Sequence, residues 1–158
     1  MSVRRRSQHP AMSTALVLVG ACRPAIVGEW ELEAYAVAGS EVPMHVSYEG
    51  YEEERSGSLT VDDRLMGEMK IATRVVSGST VTEQGLDFFI QASRSWEARP
   101  FDVFAQGSPT VEVAEGGEVW PGGGTEIQLE CTVHGDELDC IGGENSGTAW
   151  ELAFLRME

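Results

Sequence analysis

The sequence predicts an all-β chain, an antiparallel barrel of about eight to nine strands that follows a short N-terminal segment of different character. Three observations predict it. Stretches of alternating apolar and polar residues recur along the chain, divided by Gly, Ser and Asp turns. No stretch carries a strong helical pattern, and no internal repeat has a fixed period. Two regular strands stand near the two chain ends, and pairing them would close the sheet and remove both of its edges.

Composition sets the outer bounds. The chain has 158 residues, 42% of them hydrophobic, which is one domain with enough apolar material for a core. Its 11 basic and 26 acidic residues give a net charge of −15. So acidic a chain is a poor partner for nucleic acid, whose phosphates need clustered Arg and Lys. No apolar run reaches the roughly 18–20 residues of a membrane-spanning helix.

Residues 1–21 read as a signal segment. Arg4, Arg5 and Arg6 make a basic start, and the apolar run Ala15-Leu16-Val17-Leu18-Val19-Gly20-Ala21 fits a secretory core, too short for a stop-transfer helix. Val19-Gly20-Ala21-Cys22 then resembles the bacterial lipobox. That resemblance implies cleavage before Cys22, lipidation of its thiol and membrane attachment through that lipid. An ordinary cleaved signal peptide beside an unmodified Cys22 is the alternative. Loss of residues 1–21 removes three Arg and takes the net charge from −15 to −18. Residues 22–25 would serve as anchor and short linker, and 26–158 as the barrel domain.

Along that domain, Trp30, Leu32 and Ala34 alternate with Glu29, Glu31 and Glu33, a first strand with a wet acidic face. Residues 39–56 read as a long loop holding Met44, His45, Tyr48, Tyr51 and the acids Glu52, Glu53 and Glu54. Residues 58–61 form a short strand. Residues 65–76 form a longer one, with Met69, Ile71, Thr73 and Val75 on one face. Residues 86–92 fit a strand better than the start of a helix, given Phe88, Phe89 and Ile90. Residues 101–105 and 110–114 read as two further short strands, and Trp150, Leu152 and Phe154 share a face of the last one. Trp30, Phe88, Phe101, Phe104, Trp150 and Phe154 form the expected aromatic interior, as a packed core or as the lining of a ligand cavity.

Before that last strand, Ile127, Leu129, Cys131 and Val133 alternate up to Gly135-Asp136. Gly at the first central position suits a two-residue type II′ turn. The turn sets the register: His134 opposite Glu137, Val133 opposite Leu138, and Cys131 opposite Cys140. The last is a non-hydrogen-bonded pair, with Cα atoms ~4.5 Å apart, close enough for a disulfide. Reduced core thiols are the alternative; a zinc pair lacks further ligands. In an exported chain the third, odd cysteine is Cys22, where a lipid would go.

With Gly28-Glu29-Trp30 on the first strand and Arg156 ending the last, the domain resembles the lipocalin-like, or calycin, barrels and in particular small lipocalin-like lipoproteins of bacteria. The resemblance implies that Trp30 packs at the closed barrel end under Arg156 as a cation–π pair. It also implies that the segment around residues 40–56 folds over the open mouth.

Catalytic signatures are missing. The domain holds two histidines, His45 and His134, and no Gly-x-Ser-x-Gly, P-loop, dinucleotide glycine pattern or His-Glu-x-x-His. The acids 49 and 52–54 lack the alternating spacing of a calcium loop. No cofactor or metal is expected. The expectation is a non-catalytic, lipid-anchored protein on the periplasmic side of an outer membrane, since Arg23 follows Cys22 rather than Asp. It would bind a small apolar ligand, with Met44, Tyr48 and Tyr51 as gate residues, or serve as an envelope module. A protein–protein interaction module with a filled barrel, its patch near Val119-Trp120-Pro121, is the alternative, followed by an unfamiliar hydrolase.

Overall fold

A computed structural model describes residues 23–94, 100–113 and 124–158. Residues 1–21, expected as a signal segment, Cys22, and Val119-Trp120-Pro121, expected as an interaction patch, lie outside the described residues. Every regular element among the described residues is a strand: β1 (Gly28–Val37), β2 (Ser40–Val42), β3 (His45–Tyr48), β4 (Tyr51–Val61), β5 (Met66–Ser77), β6 (Thr80–Arg94), β7 (Phe101–Val113), β8 (Thr125–His134), β9 (Glu137–Glu144) and β10 (Ala149–Arg156). Eight of them close an antiparallel barrel, because β1 pairs with β10 on one side and with β4 on the other. β2 and β3 are short additions to β1 and β4.

Strand alternation places the core. Trp30, Leu59, Met69, Ile90, Ile127, Leu138 and Phe154 are buried inside, and no polar or charged side chain is fully buried among the described residues. At one end, the floor, the chain entering β1 turns under the barrel and seats Ile26 and Val27 in the core. At the other end, the mouth, β1 and β4 part.

The cysteine hairpin takes the expected register, with Cys131 opposite Cys140, Val133 opposite Leu138 and His134 opposite Glu137. A disulfide joins Cys131 and Cys140 with their Cα atoms 4.0 Å apart. Gly135 has a φ of +66°, as the first turn position requires.

Four expectations are corrected. Residues 39–56 are not one loop: β2, β3 and the first half of β4 lie there. Residues 101–105 and 110–113 belong to the single strand β7, and residue 114 lies outside the described residues. The inward face of β1 changes after Leu32, where a register shift against β10 skips Glu33. An extra residue reverses strand parity, so Tyr35 and Val37, not Ala34, pack on the core. Phe104 is exposed on the outer wall, because Phe101, Val103 and Ala105 take the inward positions of β7. Residues 86–94 are strand, as the apolar content favours.

Candidate functional site

The floor holds one tightly connected group. Trp30 is fully buried and its indole N–H donates to the carbonyl of Ile26 at 2.9 Å. The Arg156 guanidinium lies 4.1 Å from the Trp30 ring centroid and donates to the carbonyls of Ala25 and Val27. Gly28 sits beneath it with φ +147°, and a Cβ there would stand 2.7 Å from Arg156 Nη1. G28A is therefore expected to lower stability by about 1–3 kcal/mol through backbone strain and a displaced guanidinium, read as a lower thermal midpoint. These contacts tie the incoming chain to the last strand, which is a structural task.

The mouth is chemically different. β1 pairs β4 only from Gly28 to Glu31, after which the two strands part. Pro43 and Met44 bridge the gap: the Arg55 amide donates to the Met44 carbonyl at 2.8 Å, and the Arg55 guanidinium donates to the Pro43 carbonyl. The phase set by buried Leu59 and Val61 runs back through Gly57, Arg55, Glu53 and Tyr51. Arg55 forms an ion pair with Glu53, both side chains mostly buried, and the Tyr51 hydroxyl donates to the same carboxylate at 2.6 Å. A Tyr–Glu–Arg row thus stands above the apolar core. Across the mouth, Trp150 stacks near Tyr35 and donates to Glu144 at 3.0 Å.

The three residues expected as a gate share this segment but differ in their contacts. Met44 packs against the core. Tyr48 is 62% exposed and stacks on Tyr51 at 4.6 Å, closing the β3–β4 hairpin tip. The acid run is divided by the strand pleat, with Glu52 and Glu54 outward and Glu53 inward. Sequence reading missed Glu53 and Arg55 as inward residues. The available signal was the two-residue phase continuing back from Leu59.

No protein family, curated protein or solved structure matches the chain.

The side chains at the mouth define what it can do. A paired guanidinium and carboxylate with a phenol can hold a polar or zwitterionic group by charge-assisted hydrogen bonds. The same contacts brace the seam between β1 and β4. R55A is expected to cost about 1.5–3 kcal/mol, the worth of hydrogen bonds to a charged group, measured by denaturant unfolding. An E53A/R55A double variant should recover part of it, since a lone buried charge is worse than none.

Proposed function

We propose that the protein is a lipid-anchored, non-catalytic β-barrel module of the bacterial cell envelope, lipocalin-like in form, which acts through its surface. The observation that carries this reading is the apolar interior. Buried apolar side chains from all eight barrel strands pack the core, including Trp30, Phe88 and Phe154. A small barrel packed this way is a rigid platform. The lipobox at Val19-Gly20-Ala21-Cys22 supports attachment through a lipid on Cys22, and Arg23 in the next position supports the outer membrane, facing the periplasm. More than one acyl chain gives stable attachment.

Intact mass of the membrane-extracted protein tests the anchor: the expected mass lacks residues 1–21 and carries lipid on Cys22. An unmodified chain retaining that segment refutes it. Titration with a fluorescent fatty acid tests the packed interior. The expected result is unchanged tryptophan emission; saturable quenching refutes the platform.

A second reading, a carrier of a small ligand at the mouth, is favoured by the inward Tyr51, Glu53 and Arg55. Such a ligand would present a polar group to that row. Saturable quenching lost in an E53A/R55A variant would select this reading.

A further inference from the structure

The outer wall formed by β7, β8, β9, β10 and β1 differs from the rest of the barrel. Its five strands contain a single Lys or Arg, Arg156, and that side chain is held at the floor. Exposed acids stand along it, among them Asp102, Glu130, Asp139 and Glu151. No cation pairs with these four among the described residues.

Large apolar side chains stand exposed among the acids. Phe104 on β7 is 38% exposed and Ile141 on β9 is 57% exposed. Phe104 pairs with Gln128 and Ile141 with Glu130, successive outward positions of β8. The two side chains therefore flank β8 diagonally, and both line a groove of about 440 Å³ together with Gln128. Ile141 also borders a second groove of about 380 Å³, lined by Ala34, Ala36, Glu151 and Ala153. Small residues on β10 and β1 thus leave room on one side of Ile141, and Phe104 stands across β8 on the other. An apolar centre with a charged rim is the anatomy of a protein-binding surface.

We infer that this wall docks a basic polypeptide segment of a partner protein, one that seats apolar side chains between Phe104 and Ile141 and sets Lys or Arg against the surrounding acids. The inference rests on the platform reading of the barrel and names its partner class. Charge decides the occupant. A second copy offering the same wall would set acid against acid, and like charges across an interface are costly. A cationic segment gains long-range attraction from every acid on the wall, an effect that salt weakens.

The test uses the full chain, purified from membranes in neutral detergent, and a labelled lysine-rich peptide with two central leucines. Fluorescence anisotropy is expected to report saturable binding that weakens with salt. Replacing one of the leucines with serine, or introducing F104S or I141S into the protein, should each weaken it about tenfold, the loss of one apolar anchor. Replacing the peptide lysines with glutamate should abolish binding. Both protein positions are exposed, and unchanged thermal midpoints confirm that the variants fold. Absence of binding, equal binding of the serine peptide, or indifference to both F104S and I141S overturns the inference. So does sedimentation of the chain alone as a dimer that I141S dissociates, which makes a second copy the occupant. A fatty-acid probe titrated in parallel separates the two levels. Quenching that is equal in wild type and wall variants refutes the platform, whereas peptide binding alone judges the wall.

Discussion

Replacing Trp30 with alanine is expected to destabilise the protein by about 3–5 kcal/mol, the range for emptying a large buried aromatic site. Three losses combine. The ring is fully buried, so its removal leaves a cavity that close-packed neighbours fill only in part. The hydrogen bond to the Ile26 carbonyl disappears, and with it a clamp on the segment that turns under the floor. Arg156 loses the face over which it lies at 4.1 Å, a contact worth about 0.5–2 kcal/mol. Circular dichroism during denaturant unfolding should follow the effect, since tryptophan emission itself changes in the variant. A loss below about 1 kcal/mol would mean that the floor is not a keystone of the fold.

Two milder variants divide the contributions. W30F keeps most of the ring and removes the indole donor, so its cost should fall near the 1–3 kcal/mol of an orphaned buried partner. R156M keeps an apolar stem but gives up the carbonyls of Ala25 and Val27. Amides of residues 25–28 should then exchange faster, because the chain below the barrel is held to β10 through that guanidinium.

How far the sequence reveals this fold depends on parity. Around Gly135 a two-residue turn fixes which residues face each other, and hydrophobic alternation on both sides agrees with it, so the Cys131–Cys140 pairing is readable from spacing alone. The bulge at Glu33 carries no comparable mark: one skipped residue exchanges the two faces, and Ala34 and Tyr35 are both compatible with either. The upper half of β4 is hidden for another reason. Its inward positions are Tyr51, Glu53 and Arg55, which satisfy one another and so tolerate a half-buried site, yet charged residues at alternate positions look like a loop. β7 is broken in the sequence by Gly107-Ser108-Pro109, which reads as a turn. Among the described residues its pairing with β8 ends at Gly107↔Thr125, so Pro109 has no described partner strand on that side whose ladder it would break. The mouth was therefore legible as a region through Met44, Tyr48 and Tyr51, while its central ion pair was not. The outer wall was legible in its acids but not in its apolar centre, since exposing Phe104 depends on the phase of β7.

Removing the disulfide with a C131A/C140A variant is expected to cost about 2–3 kcal/mol, the chain-entropy effect of a short closed loop. The sequence separation is nine residues, so the cross-link restricts only the local unfolded hairpin. Alanine is the right replacement because both positions are buried beside Leu129 and Leu138, where serine would add unpaired hydroxyls. Thiol accounting gives the same bond a second, independent measure. Folded and non-reduced, the protein should leave Cys131 and Cys140 unlabelled by iodoacetamide. Unfolded but not reduced, it should still leave them unlabelled, so any single label falls on Cys22 and marks that thiol as free. After reduction in denaturant, two labels match a lipid-blocked Cys22 and three match an unmodified one. Labelling of Cys131 and Cys140 before reduction would contradict the bond itself. The unfolding midpoint in denaturant, compared with and without reductant, should shift in the wild type and stay fixed in C131A/C140A, which assigns the reductant effect to this hairpin.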